Sequence, residues 1–127
     1  MDLDEIATGF LTRYYATFDT GASGRPAIQN LYRPDSLLLW EGRRYYGDKE
    51  IMEVFSRPHL GKTVHQVACI DAQPVIGGIL AAATGKIFLD GNSENHLLAT
   101  GTFILLKTPG ADDSYYIHNQ IFRLIGS

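Results

Sequence analysis

The sequence predicts an α+β fold. A long N-terminal helix and two short ones pack in a strongly bent, mostly antiparallel sheet. Three observations carry this. Apolar residues recur at helical spacing near the N-terminus. From Val64 onward the hydrophobic period becomes two, in four long stretches separated by turn formers. The helical signals precede almost all of the strand signals, an order that indicates segregated helices and sheet rather than alternating units. The chain has 127 residues, so one domain is expected over residues 1–127.

Leu3, Ile6, Phe10, Tyr14 and Phe18 draw one apolar stripe at spacings of three and four. Asp2 and Glu5 stand as a capping box, with Asp in place of Ser or Thr. The helix should stop in "DTGASGR", where small and turn-forming residues cluster. Pro26 suits the first turn of a short helix, "PAIQNLY", ending near Pro34. Strand signals begin at Ser36. "SLLLW" and "RRYYG" flank Glu41-Gly42 as a tight hairpin, and Asp48 is expected to cap a third helix, "KEIMEVFS". Four strands follow: "TVHQVACIDA", "ILAAATGKIFL", "HLLATGTFILLK" and "SYYIHNQIFRL". In the last, Tyr116, Phe122 and Leu124 are expected on one face, and Tyr115, Ile117 and Ile121 on the other. Apolar residues on both faces imply a cover on the outer one, and a second copy is the simplest cover, with Ile117 and Ile121 in the interface.

Composition narrows the function. The formal charge is −3, which disfavours electrostatic binding of nucleic acid. Cys69 is the single cysteine, so no intrachain disulfide forms and an intracellular setting is expected. No apolar run is long enough to span a membrane, and "MDLDEIATGF" is unlike a signal peptide. No histidine pair has metal-ligand spacing, so neither metal nor cofactor is expected. No nucleotide-binding loop or Gly-x-Ser-x-Gly motif is present. Tyr14 and Tyr15 read as core, and His59, His96 and His118 as surface or packing residues.

The acid directly after the apolar run "SLLLW" is the unusual feature. "FLTRYYATFDT", "NLYRPDSLLLWEG", "VHQV", "DAQP", "FILLK" and "SYYIHNQIFRL" resemble, in order and approximate spacing, the nuclear transport factor 2 family. The resemblance implies a cone-like fold with an apolar cavity open at one end. It implies a sheet-to-sheet homodimer, nuclear and cytoplasmic localisation with residence at the nuclear pore, and no catalysis. It implies that the cavity mouth receives GDP-bound Ran, with Trp40, Glu41, His65, Asp90, Asn92 and Phe122 as the Ran-binding set. Leu3, Ile6 and Asp19 would form the site for Phe-x-Phe-Gly nucleoporins. Asn92 stands where the family carries an acid, and Leu3 where it carries an aromatic residue. Two alternatives share the fold: the small subunit of an mRNA export receptor heterodimer, or a stress-granule-type interaction domain. A third is an isomerase or dehydratase using Glu41, His65 and a tyrosine in the same cavity.

Overall fold

The computed structural model describes residues 2–90 and 94–126. Helix α1 spans Leu3–Phe18, and the Asp2 carboxylate caps it by accepting from the Glu5 backbone N–H at 2.8 Å. Ala7, Phe10, Leu11, Tyr14 and Phe18 form its buried stripe, so the 3.6-residue period read from the sequence is the face that meets the sheet. Two 3₁₀ turns, Gly21–Ser23 and Arg25–Leu31, lead into strand β1, Tyr32–Trp40. Strand β2, Arg43–Tyr46, returns beside it, and helix α2, Gly47–Phe55, follows. A further 3₁₀ turn, Pro58–Leu60, precedes β3 (Thr63–Val75), β4 (Gly78–Leu89), β5 (Leu97–Thr108) and β6 (Ala111–Ile125).

The sheet order is β2-β1-β6-β5-β4-β3. Every pairing is antiparallel except β1 with β6. The core lies between the inner face of this sheet and the helices, and includes Phe18, Trp40, Phe55, Phe103, Ile117 and Phe122.

Four expectations are corrected. Strand β1 begins at Tyr32 rather than Ser36. Between Tyr32 and Leu37 its register with β6 slips, so the segment holding Pro34 bulges from the ladder, where a residue without an N–H is tolerated. Ser36 repairs the bulge: its hydroxyl accepts from the Arg33 N–H and donates to the Ile117 carbonyl. Asp48 does not cap α2. Its carboxylate accepts from the Gln29 side-chain amide, and the Glu50 carboxylate reaches back to the Tyr46 N–H.

The third correction concerns β6. Ile104 pairs with Asn119 but Leu105 pairs with Ile117, so His118 is an extra residue in the ladder. A bulge of one residue exchanges the two faces of a strand. Before it, Tyr115 and Ile117 face inward and Tyr116 outward; after it, Gln120, Phe122 and Leu124 face inward. Ile117 is therefore 0% exposed in the core, not on the outer face with Ile121, which is 46% exposed.

The fourth correction concerns Asp19. It sits at the C-terminal end of α1, about 24 Å along the helix from Leu3. It shares no surface with Leu3 and Ile6, and its carboxylate is committed to β3.

Candidate functional site at the open end of the sheet

Glu41 occupies the first central position of the two-residue β1–β2 turn. Its φ is 49° and that of Gly42 is 87°, the paired positive values of a type I′ turn. Asn or Gly takes this conformation readily, whereas for a residue such as Glu the left-handed region is strained by roughly 1–2 kcal/mol. Two contacts hold it there. The Glu41 N–H donates to the Phe122 carbonyl at 3.2 Å, and its carboxylate Oε1 accepts from the Leu124 N–H at 2.6 Å. Glu41 is thus both a turn residue and an exposed acid fastened to β6.

Directly below the turn, the Trp40 ring stacks on Phe122, with centroids 4.0 Å apart and planes 12° from parallel. Trp40 also meets Phe55 edge-on. Both stacked rings are largely buried, at 8% and 5% exposure. Phe122, not Trp40, lines the hollow at the sheet's inner face. Tyr15, His65, Ala83, Gly85, Ala99 and Gly101 are among its other lining residues. The hollow arises because β4 and β5 carry glycine and alanine at these inward positions. The Tyr15 hydroxyl reaches over Gly101, where a Cβ would stand 2.7 Å from its oxygen. What remains is about 10 Å³, the space of one water.

His65 is fixed by an arrangement the sequence reading missed. Asp19 Oδ1 lies 2.7 Å from His65 Nδ1 and accepts from the Thr63 hydroxyl at 2.7 Å. Asp19 Oδ2 accepts from the His65 backbone N–H at 2.7 Å. The imidazole packs on Tyr15 at 4.6 Å and edge-on to Phe18 at 5.5 Å. Burial pushes the Asp19 carboxyl up, but the hydrogen bonds and charge of His65 and the Thr63 hydroxyl outweigh it and hold the group below its ordinary range. Glu41 and His65 are therefore engaged separately, with Leu124 and with Asp19.

Arg25, also missed, lies under the same region at 4% exposure. Its guanidinium donates to the carbonyls of Phe18, Phe55 and Leu60 and to the Thr63 hydroxyl, and rests 4.1 Å over the Phe18 ring. It ties the end of α1 to α2 and to the start of β3. No signal in the local sequence marks it, since an arginine before a proline in a turn-rich link reads as solvated.

Asp90 is exposed in a left-handed conformation, φ 55°, just past β4, and its N–H donates to the Lys62 carbonyl at 2.9 Å. The pairing of Thr63 with Leu89 puts it at the same end of the sheet as His65. Asn92 lies outside the described residues. Leu3 and Ile6 are partly buried at the start of α1, remote from this end. Among the described residues, no group of three or more His, Cys, Asp or Glu side chains could hold a metal ion, and no helix is long and apolar enough to cross a membrane.

Comparison with known proteins agrees with this architecture. The nuclear transport factor 2 domain model matches residues 6–124. The chain is 38% identical over 126 residues to nuclear transport factor 2 of Emericella nidulans, covering 98% of this chain and 96% of that one. It is 33% identical over 126 residues to the Oryza sativa protein of the same name, covering 98% of each. Among solved structures, nuclear transport factor 2 of Cryptosporidium parvum superposes with a TM-score of 0.84 at 29% identity, over 98% of both chains. The yeast UBP3-associated protein BRE5 superposes with a TM-score of 0.78 at 25% identity, over 96% of this chain and 95% of that one. By length, order of elements and sequence, the chain belongs to the nuclear transport factor 2 domain family.

Proposed function

We propose that this protein is a nucleocytoplasmic transport factor that binds GDP-bound Ran and Phe-Gly nucleoporins and carries Ran into the nucleus, working as a homodimer. The observation that carries the reading is Glu41: an exposed acid, held in a strained turn, directly above the buried Trp40–Phe122 stack. Non-glycine residues kept in sparsely populated backbone conformations concentrate at binding sites, because the surroundings must over-determine them. Oε1 is engaged with Leu124, which orients the carboxylate before a partner arrives, and preorganisation lowers the entropic cost of docking. Asp90 adds a second exposed acid at the same end of the sheet. The shared name of the relatives supports a nuclear transport role and a distribution between cytoplasm and nucleus.

An aromatic side chain of Ran would enter beside Phe122. The hollow there is full, so Tyr15 must swing aside to admit it. The glycines and alanines of β4 and β5 leave that part of its lining free of bulky side chains once Tyr15 moves. Leu3 and Ile6, apolar and partly exposed, are the proposed site for Phe-x-Phe-Gly repeats.

Affinity capture from a nuclear extract on the immobilised full chain tests the reading. Recovery of Ran with GDP, and its loss when GTP is loaded, supports it. Recovery of a large export-receptor subunit without Ran overturns it in favour of the heterodimer.

A further inference from the structure

The helical side of the molecule carries a pocket of about 320 Å³ that shares no lining residue with the hollow beside Phe122. Three segments build it. The link after α1 supplies Arg25 and Pro26, the last turn of α2 supplies Met52 and Phe55, and the turn before β3 supplies Arg57 and Pro58. Phe55 lies deep, at 1% exposure, whereas Pro26 and Pro58 are exposed at the rim. Both prolines open 3₁₀ turns, where a residue without an N–H leaves no donor unmet.

The lining holds two cations and no carboxylate. Arg25 is buried, and four of its five N–H groups are spent on the carbonyls of Phe18, Phe55 and Leu60 and on the Thr63 hydroxyl. Asp19 reaches it only through that hydroxyl and is itself committed to His65. Arg57 is exposed. One of its N–H groups donates to the Tyr45 hydroxyl at 3.2 Å, and its guanidinium stands 5.5 Å from the centre of the Tyr45 ring. Neither arginine enters a salt bridge among the described residues.

We infer that this pocket is a binding site for a small aromatic carboxylate of one or two rings. Its volume lies at the lower end of the roughly 300–1,000 Å³ of small-ligand sites. Phe55, Met52 and the two prolines offer apolar walls to a ring, and an unbranched methionine adapts to the ring's outline. The acid group is selected by charge. A guanidinium presents a planar fork that takes a carboxylate bidentately, and Tyr45 steadies that of Arg57. The buried Arg25 charge adds an attraction that solvent screens little. A phosphate would need several free donors converging on it. Here the Ser56 hydroxyl donates to the Met52 carbonyl and Arg25 is nearly saturated, so Arg57 alone has a fork to spare.

Titration of the isotope-labelled full chain with naphthoate, followed by backbone amide resonances, tests the inference. The amides of Ala22, Ser56 and Gly61 line the pocket and should shift and saturate, with a dissociation constant below about 1 mM. Naphthalenemethanol, which keeps the rings and lacks the charge, should bind at least about tenfold more weakly, and acetate should give no saturable shift at these amides. R57Q should weaken naphthoate about tenfold and leave naphthalenemethanol within about twofold, because only the charged probe uses the fork. Circular dichroism checks folding. If R57Q fails that check, R57K replaces it, with an expected loss of about threefold for naphthoate, since it keeps the charge without the fork.

Naphthoate that leaves these amides unmoved at about 5 mM, or shifts only resonances around Phe122, overturns the site. Equal affinity for naphthoate and naphthalenemethanol, or a folded Arg57 variant that binds naphthoate as wild type does, overturns the carboxylate assignment.

Discussion

Replacing Asp19 with alanine should loosen the open end of the molecule at its seam between helix and sheet. The carboxylate makes three short contacts, to the Thr63 hydroxyl, the His65 N–H and His65 Nδ1, all at 2.7 Å. Truncation leaves these groups partly buried without their acceptor. Each buried polar group so abandoned costs roughly 1–3 kcal/mol, and water recovers part of the loss because Asp19 is 19% exposed. A net destabilisation of about 2–4 kcal/mol is expected. For a domain of this size one kcal/mol moves the melting midpoint by about 4 °C, so the midpoint should fall by roughly 8–16 °C. Thermal unfolding followed by circular dichroism at pH 7 measures it.

The same contacts set a pH dependence. The folded Asp19 carboxyl is held below its ordinary range. Its contribution is therefore complete above the unfolded carboxylate's pKa of about 4 and is lost as pH falls through the lower folded value. The wild-type and Asp19→Ala stability curves should converge as pH drops below about 4. A loss under 0.5 kcal/mol at pH 7, or a gap that persists unchanged into acid, would refute the reasoning.

Three further expectations follow from other contacts. Gln120 closes a buried ring of hydrogen bonds with Tyr14 and Tyr32, whose hydroxyls lie 2.8 Å apart, and burial pushes the Tyr14 hydroxyl up to about 12. Gln120→Leu should cost about 2–3 kcal/mol by urea unfolding, and a neutral result would mean that the tyrosines satisfy each other without it. Gly101→Ala puts a methyl against the Tyr15 hydroxyl and should cost about 1–3 kcal/mol while shifting Tyr15 ring resonances; unchanged resonances would contradict the described hollow. Ile121→Glu would bury a charge in the proposed interface, and sedimentation should then show a folded monomer, a stable dimer being the contrary result.

Much of this molecule is legible in the sequence because its signals are local. The stripe from Phe10 to Phe18, the Asp2 cap and the Glu41-Gly42 hairpin are decided by neighbours along the chain, and the structure has all three. Misreadings arise where a distant partner decides. The inward turn of Ile117 depends on His118 being extra in its pairing with β5, and alternation within β6 alone cannot reveal that. Asp19 and His65 are 46 positions apart, so their pairing exists only once α1 lies against β3. At the open end, family likeness pointed to Glu41, Trp40, Phe122 and His65. It did not indicate that Tyr15 closes the hollow or that Arg25 underpins it.

Calorimetric titration of GDP-bound Ran into wild type and into Glu41→Lys, with circular dichroism as the folding control, tests the docking claim most directly. At an effective dielectric near 20, two unit charges about 4 Å apart differ by roughly 8 kcal/mol between attraction and repulsion. Relaxation at an exposed rim reduces this, yet a quarter of it still exceeds tenfold in affinity. The account predicts that wild type binds and that the folded Glu41→Lys variant binds at least tenfold more weakly. A wild type that gives no binding heat, or a folded variant that binds as tightly as wild type, would contradict it.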